Sequence, residues 1–184
     1  ICAAKAYDAS DVLQFAQRAK DAIVVERSLH KEFMVYFNVS QEEFDNTSLS
    51  LTTHHYISYL TATAWSESYP VVLASLLPFF RICAELSRDI ANKSIGINPY
   101  QAWIESYGCE EFQNMTLQLI NTVDKIADQS DPDTLERMHH AYHTSCKLEW
   151  LFWDNAYKMQ QWDNALDDLL TAQPPQKTNS LYHI

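Results

Sequence analysis

Hydrophobic residues recur three and four positions apart along most of this chain, the spacing that places side chains on one face of an α-helix. This spacing predicts a long helix over residues 10 to 39, with Ser10 as its N-cap. Ser40 is followed three residues later by Glu43, the spacing of a capping box, which predicts a short helical turn. A further helix is expected over residues 50 to 66.

The most apolar stretch, residues 71 to 91, is hydrophobic on almost every side. A helix of this kind is expected in the middle of a bundle, where other helices cover all of its faces. Pro70 fits the first turn of this helix, where a backbone N–H has no helical acceptor. Pro78 lies inside it, removes one backbone donor and is expected to bend it.

Two dipeptides with proline predict where later helices begin. An Asn-Pro pair at 98–99 predicts a short helix that ends at Gly108, and an Asp-Pro pair at 131–132 predicts the longest helix, which runs to about residue 160. Between them, apolar spacing predicts a helix over residues 110 to 128. The C-terminal part is therefore also expected to be helical.

Composition supports an all-α fold in one domain. The chain has 184 residues, 47% of them hydrophobic, which suffices for a substantial core without disulfides or metals. It contains only two glycines, whereas sheets of several strands recruit glycine for their many tight turns. We expect one helical domain over residues 1 to 162, followed by a polar, proline-containing tail at 163 to 184.

The acidic charge balance argues against nucleic acid and membranes as partners. A formal net charge of -11 gives a surface that repels phosphate backbones and anionic lipids. No stretch is expected to cross a bilayer, and the first residues lack the zones of a secretory signal. The four cysteines have no paired spacing, as is typical of a reduced compartment. A cytoplasmic protein is therefore expected.

Glu149 is singled out by spacing alone. The apolar stripe of the last predicted helix includes Met138, Tyr142, Cys146 and Trp153, and Glu149 falls on the same stripe. A carboxylate that faces a core must be paired, hydrogen-bonded or protonated. Glu149 is therefore either a structural glutamate bonded to a tyrosine or a functional acid, and the spacing does not decide between the two.

Two other features are candidates for chemistry. Cys83, on the central helix after Pro78, is either a small apolar filler or a reactive thiol. Glu26 and His30 stand one helical turn apart, a spacing that can hold a metal ion. Di-metal bundles use matching Glu-x-x-His elements on two helices, and this sequence has no such matching pair, so no metal and no cofactor is expected.

Four segments resemble the signature segments of the TenA / thiaminase II family, in their usual order and approximate spacing. They are TTHHY at 52–56, ASLLPFFRICAEL at 74–86, NPYQAWIESYG at 98–108 and LEWLFWDNAY at 148–157. The resemblance covers almost the whole chain. It implies an all-α fold of the heme-oxygenase-like kind, a homotetramer, and hydrolysis of thiamin or its aminopyrimidine breakdown products in pyrimidine salvage.

The resemblance also implies roles for individual residues. The family's proton-handling glutamate falls on Glu149, and a tyrosine that frames the substrate falls on Tyr107. The nucleophilic cysteine falls on Phe79, which cannot attack a ring, whereas Cys83 stands one helical turn later where the family usually has tyrosine. A further site tyrosine falls on Leu51. The family's N-terminal helices, with the aspartate that binds the aminopyrimidine, have no counterpart in this sequence.

Three functions are open at this level. The first is a hydrolase of the thiaminase II type, in which Glu149 moves protons and either Cys83 or water attacks a pyrimidine held near Tyr107, Phe79 and Leu51. The second is a non-hydrolytic protein that binds a more apolar ligand, motivated by the loss of the nucleophile. The third is a redox or oxygenase-like metal protein. The first is expected, with a small molecule as partner and a homo-oligomer as the assembly.

Overall fold

The protein is built from α-helices that surround one buried helix. The computed structural model of the chain describes residues 1–93 and 96–160, and no strand occurs in these ranges. The helices are α1 (Cys2–Lys5), α2 (Ala9–Asp21), α3 (Arg27–Tyr36), α4 (Gln41–Asn46), α5 (Leu51–Ser66), α6 (Tyr69–Lys93), α7 (Gln101–Gly108), α8 (Glu110–Asp128) and α9 (Pro132–Lys158). The all-α class expected from the sequence is confirmed. The tail predicted at 163 to 184, and the last two residues of the predicted domain, lie outside the described residues.

Helix α6 forms the centre of this arrangement and packs against α5, α7, α8 and α9. Its first seven residues, from Tyr69 to Ser75, are all buried. The expectation that no stretch could cross a bilayer was wrong for α6, which is long and apolar enough by length and composition alone. The physical reason is that a central helix is apolar on all sides, since the other helices bury most of its surface.

Two hydrophobic clusters flank α6. The larger joins α2, α6, α8 and α9 through buried side chains such as Phe15, Leu73, Leu119 and Met138. Burying a side chain of this size stabilises the fold by about 1.5–3 kcal/mol. The smaller cluster contains Leu29, Cys83 and Tyr107, with a ring of partly buried aromatic residues around them. The smaller cluster includes Cys83 and Tyr107 of the candidate site.

Several helices begin where the sequence predicts. Ser40 Oγ accepts a hydrogen bond from the backbone N–H of Glu43 at 3.1 Å, and Glu43 Oε2 accepts one from the backbone N–H of Ser40 at 2.8 Å, which completes the predicted capping box. Ser50 caps α5 through the N–H of Thr53 at 3.2 Å. Asp131 caps α9, with proline in its first turn. Side chains that satisfy free N–H groups thus fix these starts.

Two predicted starts were wrong. Ser10 is not the N-cap of α2, because Asp8 accepts a hydrogen bond from Asp11 N–H at 2.9 Å and the helix begins at Ala9. The short helix before Gly108 begins at Gln101 rather than at Pro99. Asn98 Oδ1 accepts from Tyr100 N–H at 2.9 Å, a local turn that precedes the helix. Both errors arise where neighbouring residues offer competing side-chain acceptors.

The helix predicted over residues 10 to 39 is interrupted by a π-helical turn, Ala22–Glu26, and α3 then ends at Tyr36. A π turn widens the helix, so side chains after it face a different direction from the one that regular spacing predicts. Turns of this kind are frequent at functional sites. Glu26, the last residue of this turn, is half-buried and becomes part of the candidate site.

Candidate active site

Glu149 lies in the protein interior on α9, with only 2% of its surface exposed. Its Oε1 accepts a hydrogen bond from Trp153 Nε1 at 3.0 Å. Within the described residues, neither Glu149 Oε2 nor the Tyr56 hydroxyl meets a partner with full hydrogen-bond geometry. The two groups are nevertheless near enough to change each other's pKa. Glu149 on α9 and Tyr56 on α5 therefore form a buried polar pair.

Burial raises the pKa of Glu149 above the usual carboxyl value, because the charged form loses its hydration. Interactions with Tyr56 and Trp153 partly offset this effect, since both favour the carboxylate. A general acid works best when its pKa lies near the pH at which it operates. The environment of Glu149 therefore moves its pKa toward the range that suits a general acid.

A second carboxylate faces the site from the π turn. The hydroxyl of Tyr107, on α7, donates a hydrogen bond to Glu26 Oε1 at 3.3 Å. Burial, followed by the charge of Glu26, raises the pKa of Tyr107, so the phenol keeps its proton. The rings of Trp103 and Phe112 lie 4.8 and 4.9 Å from the Tyr107 ring and hold it in place.

Cys83 is buried on α6, and its thiol interacts electrostatically with the carboxylates of Glu149 and Glu26. Burial raises the pKa of its thiol to about 12, and Glu149 and Glu26 contribute to the increase. A thiol that interacts with both groups shows that the two carboxylates share one region of the protein. Its raised pKa works against a nucleophilic role, because the thiolate is the reactive form.

An aromatic chain connects α7 with α9. The Trp103 ring lies 4.8 Å from Tyr107 and 5.8 Å from Trp153, and Trp153 in turn bonds to Glu149. Because these rings are closely packed, a movement of one ring would displace the ring next to it. The packing therefore couples the position of α7 to that of α9. The aromatic chain thus fixes Glu149 and Tyr107 relative to each other.

A cavity of about 350 Å³ opens beside this cluster, between the π turn and α6, α7 and α8. Its lining is mostly apolar and includes Arg18, Val25, Glu26, Phe79, Tyr107 and Met115. A volume of this size suits a small molecule such as a substituted aromatic ring. The cavity reaches the Tyr107 end of the cluster, so a ligand there would contact Tyr107 directly.

The structure brings some of the predicted site residues together. Phe79 and Tyr107 both line the cavity, and their rings are 6.4 Å apart. Cys83 and Glu149 are buried behind them and are not among the cavity-lining residues that the structure describes. Leu51 starts α5 and is 48% exposed, away from this lining. The functional roles of all five residues stay predictions.

Sequence reasoning missed the roles of two polar residues in this cluster. Glu26 was considered only as a metal ligand with His30, because its contact with Tyr107 depends on the π turn and on how α7 packs. Over the described ranges, no group of three or more His, Cys, Asp and Glu side chains could hold a metal. Tyr56 is the last residue of the TTHHY segment, so this motif is the sequence feature that could have pointed to Tyr56 as a site residue.

A larger cavity of about 700 Å³ lies between α2 and α8. It is lined mainly by amide and hydroxyl side chains such as Gln14, Asn114 and Thr122. It shares Arg18, Asp21, Glu111 and Met115 with the smaller cavity, but it does not reach Tyr107, Phe79 or Glu26. The smaller, more apolar cavity is therefore the candidate ligand site.

We expect iodoacetamide to alkylate Cys83 at least about 100-fold more slowly than Cys109 in the folded protein. With a pKa of about 12, only about one Cys83 thiol in ten thousand is ionised at pH 8. Cys109 is exposed at the start of α8. Peptide mass spectrometry after timed labelling measures both rates, with urea-unfolded protein as the control. Similar rates in the folded protein would show an accessible, ionised Cys83.

The sequence of this chain is similar to those of several known proteins. The sequence model of the TENA/THI-4/PQQC family matches residues 1–159. The aminopyrimidine aminohydrolase of Bacillus subtilis is 29% identical over 168 residues, which cover 91% of this chain and 71% of that protein. A protein of the same name from Helicobacter pylori is 27% identical over 157 residues, 84% of this chain and 72% of that protein. The thiamine biosynthesis multifunctional protein ThiED of Corynebacterium efficiens is 28% identical over 86% of this chain, but only 21% of its own length is matched.

Solved structures share the same arrangement of helices. A TenA homologue from P. horikoshii OT3 matches with a TM-score of 0.74 at 23% identity, over 85% of this chain and 72% of that one. A TenA homologue from Pyrococcus furiosus matches with a TM-score of 0.75 at 21% identity, over 85% of this chain and 73% of that one. These likenesses show the fold, and they confirm the heme-oxygenase-like all-α class expected from the resemblance.

Proposed function

This chain belongs to the TENA/THI-4/PQQC family, and from that membership we propose that it hydrolyses thiamin or an aminopyrimidine formed by thiamin breakdown. The observation that carries the proposal is Glu149, a buried carboxyl group with a raised pKa that interacts with Tyr56 and Trp153, in the cluster beside the cavity. The names of the relatives from Bacillus subtilis and Helicobacter pylori support the substrate class.

For an aminomethylpyrimidine, the reaction replaces a carbon–nitrogen bond with a carbon–oxygen bond. In the proposed reaction the aminomethyl group reaches past the cavity lining to Glu149. The protonated carboxyl group gives its proton to the leaving nitrogen as the carbon–nitrogen bond breaks, and ammonia departs. Water attacks the same carbon, and the Glu149 carboxylate takes the proton that water loses. The products are a hydroxymethylpyrimidine and ammonia, and Glu149 returns to its protonated state. One carboxyl group therefore serves as both acid and base.

We favour water as the attacking group over Cys83. Burial and two nearby carboxylates keep the Cys83 thiol protonated, which lowers its reactivity. Phe79 and Tyr107 would form one aromatic wall for the pyrimidine ring, because their rings pack edge to face along the cavity lining. A role for Leu51 would require a ligand that extends beyond this cavity, because Leu51 lies at the exposed start of α5.

The test is incubation of the protein with an aminomethylpyrimidine and, separately, with thiamin, followed by chromatography of the products. The expected result is formation of the hydroxymethylpyrimidine together with ammonia from the first substrate. Heat-inactivated protein is the control for spontaneous hydrolysis. Binding of the pyrimidine without any product would favour the non-hydrolytic alternative, and the absence of both binding and product would refute the proposal.

The homotetramer and the cytoplasmic location implied by the resemblance are further proposals. Large apolar side chains on the surface support self-association, since Trp65, Trp150 and Tyr157 are all more than half exposed. A second copy that covered them would remove this apolar area from water. Light scattering after size-exclusion chromatography measures the mass, and a monomer at micromolar concentration would contradict the tetramer.

A further inference from the structure

The larger cavity, between α2 and α8, contains a buried charged group whose hydrogen bonds are incomplete. Arg18 is only 8% exposed, and it lines both this cavity and the smaller one. Its Nη2 donates a hydrogen bond to the Met115 carbonyl at 2.9 Å, whereas Nε and Nη1 have no partner within the described part of the chain. A buried donor without an acceptor destabilises the folded protein. Arg18 therefore favours a ligand that brings an acceptor to it.

The surroundings of Arg18 keep it charged and hold it in place. Burial lowers the pKa of its guanidinium to about 10, and the charge of Asp21 opposes this shift, so the group stays protonated at neutral pH. The guanidinium carbon lies 5.0 Å from the centre of the Phe80 ring and 6.0 Å from that of the Phe15 ring. These contacts and the bond to Met115 fix the position of the unpartnered donors before any ligand binds.

An unpartnered acceptor lies one helical turn from these donors. Gln14 and Arg18 stand four residues apart on α2 and both line the larger cavity, so they share one face of the helix. Gln14 Oε1 is buried and meets no donor among the described residues. Gln14 is not one of the residues described as lining the smaller cavity. The larger cavity thus places an acceptor beside donors, and both lack partners.

The charges around the larger cavity disfavour anionic ligands. Asp11, Asp21 and Glu111 line it, whereas Arg18 supplies the one positive charge among the lining residues that the structure describes. A carboxylate or phosphate ligand would meet this excess of negative charge. An ammonium ligand would be attracted, but it would leave the donors of Arg18 without an acceptor. A neutral ligand that both accepts and donates hydrogen bonds satisfies all of these conditions.

We propose that the larger cavity is a second ligand site, which binds a neutral molecule through a carboxamide or cyclic amide edge. The carbonyl oxygen of this edge accepts a hydrogen bond from Arg18, and its N–H donates to Gln14 Oε1. The cavity volume of about 700 Å³ admits a molecule that carries a ring beside the amide. The inference uses neither Glu149 nor the proposed hydrolysis.

The test compares three ligands that share one ring, namely benzamide, benzoate and benzylamine, which present a neutral amide, an anion and a cation. Titrations of the full chain at pH 7, followed by ligand-observed NMR, give the three dissociation constants. Benzamide is expected to bind at least about 10-fold more tightly than either of the others, because it alone supplies an acceptor and a donor without a charge.

Substitutions on α2 locate the bound amide. Gln14→Leu removes the acceptor at similar side-chain volume and should weaken benzamide binding by about 5-fold or more. Gln17→Leu is the matched control, since Gln17 lines the same cavity on the same helix but its Nε2 already donates to Asp21 Oδ1 at 2.7 Å. The control should bind benzamide within about 2-fold of wild type. Arg18→Met should remove the preference for benzamide over benzylamine.

Three outcomes would overturn the inference. They are no binding of benzamide, equal binding of the three ligands, or benzamide binding that Gln14→Leu leaves unchanged, which would place the amide in the smaller cavity. If thermal unfolding shows that Arg18→Met does not fold, the comparison of Gln14→Leu with Gln17→Leu decides. Hydrolysis is measured separately on an aminomethylpyrimidine, so its failure would leave the second site intact, and loss of the second site would leave the hydrolysis intact.

Discussion

The Glu149→Gln variant is expected to lose hydrolytic activity by a factor of about 10² to 10⁴, the usual contribution of a general acid or base. Glutamine fills nearly the same volume and can still accept a hydrogen bond from Trp153, so the packing around α9 is preserved. The amide cannot give a proton to the leaving nitrogen or take one from water. The rate of ammonia release under saturating substrate measures the loss.

The pH dependence of thermal unfolding shows whether the Glu149→Gln variant keeps the wild-type structure. A carboxyl group with a raised pKa in the folded state contributes stability below its unfolded pKa, and that stability is lost as the pH rises through the folded pKa. For Glu149 the shift is upward, so ionising it at neutral pH costs the folded protein free energy. Thermal unfolding of Glu149→Gln should therefore give a melting temperature at least as high as wild type at pH 8, with the difference smaller at pH 4.

Glu136→Gln is the matched comparison, because Glu136 is exposed on the same helix. This variant should keep both the wild-type rate and the wild-type dependence of stability on pH. A Glu149→Gln protein that is folded and retains full activity would remove Glu149 from the mechanism. Loss of folding in Glu149→Gln, by contrast, would favour the structural alternative in which the glutamate holds α9 in place.

The Phe79→Cys variant is expected to hydrolyse the aminopyrimidine faster than wild type, by about 10-fold or more, if a thiolate supplies covalent catalysis. Phe79 lines the cavity, so a thiol at this position would face the ligand. Cys83 lies one helical turn farther along α6, about 6 Å away by helix geometry, and it is buried. Initial rates at several pH values, together with mass spectrometry of a trapped covalent adduct, measure the gain.

Phe79→Ala separates the chemistry of the thiol from the space that it opens. Truncating the ring enlarges the cavity without adding a nucleophile, and it removes the edge-to-face contact with Tyr107. We expect Phe79→Ala to be no faster than wild type. Equal rates for the alanine and cysteine variants would show that cavity size governs the reaction, and a cysteine variant without any gain would show that the site does not use a thiolate.

The sequence predicted the helices well because helix formation depends on neighbours in the chain. Apolar spacing and capping residues located α4, α5, α8 and α9 at their starts, and the apolar character of residues 71 to 91 predicted the buried position of α6. The errors at Ser10 and Pro99 are also local, since in each case a nearby side chain made a competing hydrogen bond. Spacing on α9 alone located Glu149 in the interior.

The contact of Glu149 with Tyr56, and the second carboxylate, were decided only by tertiary structure, whereas Trp153 is one turn from Glu149 on the same helix. Glu26 and Tyr107 are 81 positions apart in the chain, and a π turn interrupts the regular period that would have predicted the direction of the Glu26 side chain. The cavity forms where segments from four parts of the chain meet, so no local pattern encodes it.

The sequence by itself thus determined an all-α chain and a carboxyl group on the inner face of its last helix. Tertiary structure decided that this group is buried beside Tyr56, that a second carboxylate engages Tyr107, and that Cys83 is buried near both carboxylates with a raised pKa. The physical reason is one of range. Helix periodicity and capping act over a few residues, whereas hydration, charge and hydrogen bonding in a site depend on which distant segments exclude water together.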